Sequence, residues 1–339
     1  AETGVVANSL RFNDDDSANM NRTPSSAGNR QTFTISLWFK LPAVGQSAQS
    51  TLISSGTATN DVFYINVASD RFEIVSYTDG ADQLRLKDTN WKLRDPSAWY
   101  HLVLAVDTNQ STNTNRAKVY LNNVQHTTWT STSWPTEGQA LKFNVVEDHR
   151  IGAWAALANS AFYLDSYLSD IHMVDGQQLT PGDFAEEDAT TGQWVPIEYT
   201  HVASPNDGTT WSDDLTSGSG AWFVSGGGTT FGPTFAFNGA TAGTYAEATS
   251  NTITWAPTDL SWSSSLEVMC GSTNITAAID GGGSVSLTAG QWTTVASGAG
   301  SISTSLILTH TGTTANLKGI RVDGQVLIDD AVDNSFHLK

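Results

Sequence analysis

Alternation of polar and apolar residues along short segments is the feature that most constrains how this chain can fold. Residues 32–40 alternate Thr and Ser with Phe, Ile and Leu, which is typical of a β-strand with one buried face. Residues 61–67 and 71–77 continue the pattern, and residues 99–107 form the most apolar segment, expected in the centre of a sheet. No segment keeps a 3.6-residue period, so helix is expected for a turn or two at most, near residues 180–184. The sequence therefore predicts an all-β fold.

The strand segments fall into two series, which predicts two domains. A chain of 339 residues has the length of two domains of roughly 150 residues each. The composition changes after about Tyr199, where a segment rich in Gly, Ser, Thr and Asp begins. We expect tandem antiparallel β-sandwiches, with residues 1–200 in the first, 201–232 as a connecting segment and 233–339 in a smaller second sandwich.

The charge balance argues against several kinds of partner. The chain has 16 Lys and Arg against 34 Asp and Glu, which gives a formal net charge of −18. Because phosphate neutralisation needs basic residues, nucleic acid and anionic membrane surfaces are poor candidates for partners. No apolar run approaches the ~20 residues of a membrane-spanning helix, so membrane insertion is not expected. The single cysteine, Cys270, excludes a disulfide within the chain.

Several motifs follow one another in an order that a known family uses. They lie at residues 8–12, 33–39, 99–103 and 118–123, and residues 163–176 supply a closing strand. Together they resemble the laminin-G-like, concanavalin A-like lectin domain over about residues 5–200. The continuation at residues 178–196 is similar to the version of this domain found in structural proteins of tailed bacteriophages.

The second half resembles virion modules of another kind. Residues 235–239 and 244–246 are similar to the opening of small galactose-binding-like jelly rolls, and residues 320–329 to their closing strand. The two resemblances together imply a concanavalin-like jelly roll followed by a smaller galactose-binding-like jelly roll.

Sequence motifs for catalysis are missing. Concanavalin-type glucanases that retain configuration need two carboxylates about 5–5.5 Å apart on one strand face, in the pattern Glu-x-Asp-x-x-Glu. None of the glutamates fits this pattern, and no nucleophile elbow, zinc-protease helix or phosphate-binding glycine loop occurs. His101 lies in a core-like strand, where a structural role is more common than a catalytic one. We therefore expect a protein without enzymatic activity.

The resemblance implies calcium as a cofactor, because laminin-G-like domains often bind one ion near the rim of the sandwich. Asp14, Asp15 and Asp16 form one candidate site, in which a divalent cation would relieve the repulsion between like charges, and a solvated acidic turn is the alternative. Asp165 and Asp170 fall at acidic positions typical of the family. The alternative for these two residues is that they cap the strand or face solvent.

Aromatic residues in polar segments are candidates for glycan binding, since sugar rings stack on Trp and Tyr faces. Trp129, Trp134 and Trp154 lie in segments bounded by Ser, Thr and Gly, from which they could project. The alternative for all three is packing at the edge of the sandwich or in a subunit contact.

These observations favour a non-enzymatic structural protein at the surface of a tailed-bacteriophage virion. It would belong to the tail, a fibre or a head appendage that decorates the capsid, with other virion proteins and host-surface glycans as partners. The resemblance also implies a homo-oligomer, with a trimer suspected. The alternative is a secreted bacterial carbohydrate-binding protein or a glycanase-related lectin.

Overall fold

The computed structural model divides the chain into two compact units. Unit 1 comprises Ala1–Ala203 with Asn334–Lys339, and unit 2 comprises Ser204–Asp333. The structure describes residues 6, 8–41, 49–68, 71–90, 92–156, 162–199, 206, 208–218, 221–226, 228–239, 245–258, 260–330 and 333–338. Over these residues the chain forms antiparallel strands and short turns of 3₁₀ helix, at Asn113–Asn115, Pro181–Asp183, Trp211–Asp214 and Pro233–Phe235. The all-β prediction is confirmed.

Unit 1 is built on two seven-stranded antiparallel sheets. Its first fifteen strands are, in chain order, β1 (Leu10–Phe12), β2 (Met20–Arg22), β3 (Thr32–Lys40), β4 (Gln49–Ala58), β5 (Asp61–Ala68), β6 (Arg71–Thr78), β7 (Ala81–Lys87), β8 (Tyr100–Asp107), β9 (Ala117–Leu121), β10 (Val124–His126), β11 (Ser131–Ser133), β12 (His149–Ile151), β13 (Ser166–Asp175), β14 (Ala185–Glu187) and β15 (Trp194–Pro196).

The strand order puts the most apolar segment inside a sheet, as predicted. Sheet A runs β1-β13-β3-β8-β9-β10, so β8 lies between β3 and β9. Sheet B runs β11-β7-β6-β5-β4-β12-β2, and β14 and β15 form a separate hairpin. The turn between β9 and β10 places Asn122 and Asn123 at φ 47° and 67°. Asparagine tolerates this left-handed conformation, which tight hairpins require.

Alternate residues of the two sheets meet in one apolar core. Phe33 and Phe39 of β3 face Phe63 of β5 and Phe72 of β6, and all four side chains are buried. The Phe39 and Phe72 rings meet edge to face with centroids 5.6 Å apart. Because successive strand residues point to opposite faces, Thr34 and Ser36, which alternate with Phe33, Ile35 and Leu37, lie on the outer face of sheet A.

The outer face of sheet A is covered by residues that follow β13. Thr34 donates from Oγ1 to the Gln177 carbonyl at 2.7 Å and accepts from the Leu179 amide at 2.8 Å. Phe184 is buried there against Val103 of β8. Thr34 is therefore buried although it points away from the core, because the covering segment satisfies its hydrogen bonds.

Unit 2 contains two main antiparallel sheets around one core. Its thirteen strands are β16 (Leu215–Ser217), β17 (Ala246–Glu247), β18 (Thr252–Trp255), β19 (Ser261–Trp262), β20 (Ser265–Met269), β21 (Ile275–Ile279), β22 (Val285–Ser286), β23 (Thr293–Ser297), β24 (Gly300–Ser301), β25 (Leu306–His310), β26 (Asn316–Leu317), β27 (Gly319–Val322) and β28 (Gln325–Val326). The main sheets run β16-β18-β25-β21-β22 and β23-β20-β27-β28. Apolar residues of both sheets, with Trp211 and Phe237, share the core.

The end of the chain returns to unit 1. The last strand, β29 (Phe336–Leu338), pairs with β13 in sheet A, where Ile171 is the register partner of Leu338. The buried Asp175 carboxylate fixes the residues just before β29. It accepts from the Asn29 amide at 2.8 Å and from the Asn334 amide at 3.0 Å. Asn334 therefore joins β29 to the start of the sandwich.

The observed division differs from the expected boundaries in two respects. Residues 334–339 belong to unit 1, because β29 completes the edge of sheet A and the preceding chain folds as an inserted unit. Part of the expected connecting segment 201–232 contributes to unit 2, since β16 pairs with β18 and Trp211 is buried in the core. Residues 201–205, 207, 219, 220 and 227 of that segment, and Thr244 of the second resemblance, lie outside the described residues.

Candidate functional site

The outer face of sheet B carries a cluster of aromatic and charged side chains. Val62 and Tyr64 of β5 and Val75 of β6 point away from the core and form a small apolar cluster. Tyr77 and Trp154 are half-buried and pack against this cluster. We call Tyr64, Tyr77, Asp82, Arg85 and Trp154 the outer aromatic face.

Local hydrogen bonds place Trp154 on this face. The chain after β12 crosses sheet B, and Ser54 of β4 donates from Oγ to the Ala153 carbonyl at 2.8 Å. The Ala155 amide donates back to the same hydroxyl at 2.8 Å. With the backbone on both sides fixed, the Trp154 ring meets the Tyr64 ring edge to face, with centroids 5.5 Å apart. The Phe162 ring also packs against this indole, with centroids 4.5 Å apart, and Trp154 remains partly exposed.

Arg85 of β7 organises the charges of the face. Its Nη1 donates to Glu73 Oε1 at 2.9 Å, its Nε donates to Asp82 Oδ2 at 2.9 Å, and Nη2 contacts the Tyr77 hydroxyl. The guanidinium also lies over the Tyr77 ring, 5.3 Å from its centroid. Nη2 also donates to Asp82 Oδ1 at 3.2 Å, so these contacts hold the planar group in one orientation and occupy all but one of its N–H groups within the described part of the chain.

The Tyr64 hydroxyl and the Asp82 carboxyl group of this face both have raised pKa values. Burial, followed by the negative charge of Glu73, raises the pKa of the Tyr64 hydroxyl, which therefore stays protonated and able to donate. Burial also raises the pKa of Asp82. Both Glu73 and Asp82 bond to the same guanidinium, so they do not form a pair of carboxylates facing an open groove.

A row of polar residues crosses the same face beside Tyr64. Thr51, Asn66, Glu73 and Lys87 are successive register partners on β4, β5, β6 and β7. The Asn66 side chain is 1% exposed, and neither its Oδ1 nor its Nδ2 has a hydrogen-bond partner in the described part of the chain. Burial of such an unpaired amide costs about 1–3 kcal/mol. Because both amide atoms are buried, a ligand on the outer face would not reach Asn66 without a rearrangement of the strands.

The three tryptophans predicted for glycan binding are not brought together. Trp154 lies on the outer aromatic face, whereas Trp129 and Trp134 pack, half-buried, against the core of unit 1. The Trp129 ring meets the His126 ring edge-on, with centroids 4.5 Å apart. Trp129 and Trp134 therefore have the alternative role stated above, which is packing at the edge of the sandwich. Their apolar rings cover core residues there.

The five acidic candidates for calcium binding also lie apart. Asp14, Asp15 and Asp16 form an exposed turn after β1, in which Asn13 donates from Nδ2 to Asp16 Oδ2 at 2.8 Å. Asp165 forms an ion pair with Arg11. Asp170 lies five residues further along the chain, roughly 17 Å at ~3.4 Å per strand residue, and accepts from Ser169 Oγ at 2.8 Å. Calcium at any of these residues stays a prediction.

His101 has the structural role predicted for it. Its fully buried ring lies on the outer face of sheet A, where it accepts from Trp194 Nε1 at 3.0 Å and bonds Ser36 Oγ at 2.8 Å. Burial lowers the pKa of His101 to about 3, so the ring is neutral near pH 7.

Sequence reasoning missed most of the outer aromatic face. Tyr64, Tyr77 and Arg85 lie in strands whose alternation was used only to assign the buried side. The outward positions of these strands could have indicated the face, because Tyr64 and Asn66 alternate with core residues on β5. A search for aromatic and amide residues at outward strand positions would have found both.

Comparison with known proteins finds a family model that matches part of unit 1. Residues 13–153 match the laminin G sequence model described as the concanavalin A-like lectin/glucanases superfamily. The match agrees with the resemblance stated from the sequence, and the matched segment contains the whole outer aromatic face except Trp154, which follows its last residue. No curated protein sequence matches the chain.

The solved structures that the comparison matches are distant in sequence. The heptameric pentraxin of Limulus polyphemus is 13% identical, with a TM-score of 0.34 over 49% of this chain and 74% of that one. Domains LG4-5 of the mouse laminin alpha1 chain are 11% identical, with a TM-score of 0.37 over 100% of this chain and 94% of that one. The binding domain of botulinum neurotoxin serotype D/C is 13% identical, with a TM-score of 0.31 over 45% of this chain and 34% of that one.

Proposed function

We propose that this chain is a non-enzymatic structural protein of a tailed-bacteriophage virion, and that it binds host-surface glycans through the outer aromatic face. The observation that carries the binding part is the juxtaposition of half-buried Trp154 and Tyr77 with the fixed charges of Arg85 and Asp82. The match of residues 13–153 to a lectin superfamily supports the same ligand class.

The chemistry of a glycan suits this face. A pyranose ring has one apolar side that stacks on an aromatic surface, and hydroxyl groups around its edge that need donors and acceptors. Trp154 and Tyr77 supply the aromatic surface, Asp82 accepts and Arg85 donates. Because Arg85 is held by Glu73 and Asp82 before a ligand arrives, little conformational entropy is lost on binding.

The carboxylates of the face support the non-enzymatic part of the proposal. Glycosidic bond cleavage needs one protonated and one ionised carboxyl group on either side of the bond. Glu73 and Asp82 instead bond to one guanidinium and do not flank an open groove. A bound oligosaccharide is therefore expected to remain intact on long incubation, and release of new reducing ends would contradict this part.

A glycan array on the purified chain tests the binding site. Trp154→Ala should weaken binding at least about tenfold, the equivalent of ~1.4 kcal/mol of lost ring contact. Asp82→Asn should weaken binding too, and it is the safer variant because Asp82 is on the surface and its loss exposes no core residue. Trp129→Ala and Trp134→Ala are the matched controls. Binding that depends on Trp129 or Trp134 and ignores Trp154 and Asp82 would contradict the proposal, as would the lack of any glycan bound by the wild-type chain.

The virion part of the proposal rests on the resemblance of residues 178–196 to phage structural proteins and on the succession of two β-rich units. Its expected partners are other virion proteins and further copies of this chain, in a trimer, at the surface of the particle. Antibody labelling of purified particles and a particle reconstruction test it. A reconstruction without this chain at any symmetric position would instead favour a secreted bacterial carbohydrate-binding protein, which would use the same face.

A further inference from the structure

Two histidines and an aspartate from distant parts of the chain meet at the edge of sheet A. Each of Asp170, His172 and His337 offers one ligand atom, and these three atoms all lie within 4.8 Å of one another. His172 and His337 are register partners on β13 and β29. Their rings are stacked, with centroids 3.9 Å apart and planes inclined by 20°.

The fold brings Asp170 to this pair through a β-bulge. The register of β13 against β3 shifts between Ser169 and His172, and Asp170 takes the left-handed conformation at φ 43°. The same edge of β13 pairs with β1 up to Leu168 and with β29 from Ile171 onward. Asp170 therefore lies at the gap between the two edge strands, where its carboxylate is not confined by a neighbouring ladder.

The surroundings resemble those of metal ligands in proteins. Ser169 donates from Oγ to Asp170 Oδ2 at 2.8 Å, which orients the carboxylate and leaves its second oxygen for a ligand. His172 is 3% exposed and lies against the rings of Phe184 and Tyr199, at centroid distances of 5.2 Å and 5.5 Å. An apolar shell of this kind restricts water and strengthens coordination.

We propose that Asp170, His172 and His337 bind a divalent transition-metal ion of the zinc class. Two imidazole nitrogens and one carboxylate oxygen suit zinc, cobalt or nickel, whereas calcium requires six to eight oxygen ligands. In a tetrahedral site with metal–ligand bonds of about 2.0–2.1 Å the ligand atoms lie roughly 3.3 Å apart, so the side chains need to move inward by little more than about 1 Å. A water molecule completes the four-coordinate site.

The site has a structural consequence for unit 1. β29 is three residues long, and its ladder to β13 consists of the register partners Ile171–Leu338, His172–His337 and Met173–Phe336. A metal bound to His172 and His337 would join these two strands directly and stabilise the folded form by preferential binding. The proposal thus assigns the ion a role in closing the edge of sheet A.

Titration of the full chain with Zn²⁺ and Co²⁺, after treatment with a chelator, tests the proposal. We expect one ion per chain, an intense visible Co²⁺ spectrum typical of tetrahedral coordination, and a raised melting temperature that the chelator reverses. His337→Ala and Asp170→Asn should each weaken Zn²⁺ binding at least about tenfold. His310→Ala, in unit 2, is the matched control and should bind as the wild type does.

Each other outcome contradicts the assignment. Absence of Co²⁺ binding by the wild-type chain would overturn it, as would binding that His337→Ala leaves unchanged. If His337→Ala separates β29 from β13, the Asp170→Asn variant still tests metal binding, because this variant keeps both histidine rings and the pairing of β29 with β13. Unchanged affinity in Asp170→Asn would refute the three-ligand site, and displacement of Zn²⁺ by a modest excess of Ca²⁺ would refute the metal class.

Discussion

Lowering the pH from 7 to 5 should destabilise unit 1 through the buried ring of His101. The ring accepts a hydrogen bond from Trp194 Nε1 at 3.0 Å through Nδ1, so a proton on that nitrogen would break the contact. The neutral ring therefore carries its proton on Nε2, which donates to Ser36 Oγ at 2.8 Å. Protonation of the folded form would place a charge in a fully buried position, which is why burial lowers the pKa of His101 to about 3.

The magnitude follows from the difference between the folded and unfolded pKa values. An unfolded histidine titrates near 6.5, so between about pH 6.5 and pH 3 the unfolded chain binds more protons than the folded one. The stabilising contribution is complete above pH 6.5 and is lost progressively as the pH falls toward 3. At pH 5, about 1.5 pH units below the unfolded pKa, the loss is ~2 kcal/mol.

Urea denaturation at pH 7 and pH 5 measures this loss, with His101→Gln as the reference. Glutamine can still donate to Ser36 and accept from Trp194, but it does not titrate. Other groups, including His149, whose pKa burial also lowers, are present in both proteins and cancel in the comparison. The wild-type free energy of unfolding should fall by about 2 kcal/mol more than that of His101→Gln. An equal fall in both proteins would refute the reasoning.

Two further predictions concern hydrogen-bonded carboxylates. Gly28→Ala should destabilise unit 1 by about 2–3 kcal/mol in thermal denaturation, because the new Cβ would lie 2.0 Å from Asp175 Oδ2. Gly283→Ala is the control and should be nearly neutral, because its new Cβ would meet no atom within 4 Å. Asp323→Ala should destabilise unit 2 by about 1–2 kcal/mol at pH 7. Burial opposes the Asp323 charge, but the amides of Ser263, Ser264 and Ser265 outweigh it and lower its pKa to about 2, so the wild-type contribution is present above about pH 4 and lost toward pH 2. An acid denaturation curve that is the same for Asp323→Ala and wild type would contradict this assignment.

The sequence predicted the strands better than it predicted their surroundings. The alternation in residues 32–40 correctly identified β3 and its core side, because one buried face imposes a period of two. The same alternation indicated a solvent-facing side, which the structure covers with residues 177–199. A covering segment depends on contacts between distant residues, which no local pattern records.

The same limit explains what was missed at both candidate sites. Phe336–Leu338 is too short to be identified as a strand, and its pairing of His337 with His172 depends on register across an inserted unit. Trp154 could be selected from its polar surroundings, whereas its position over Tyr64 depends on the hydrogen bonds of Ser54. The sequence identified Trp154 as a candidate by its residue type, but it did not show which distant residues would lie beside it.

Hydrogen–deuterium exchange with and without the best glycan from the array tests the central claim most directly. If the outer aromatic face binds the glycan, amides of β5, β6 and β7 and of residues 152–156 should exchange more slowly in the complex. Amides of β8, β9 and β10 in sheet A, and those of unit 2, should exchange at unchanged rates. Slower exchange confined to residues 126–134 or to unit 2 would contradict the account.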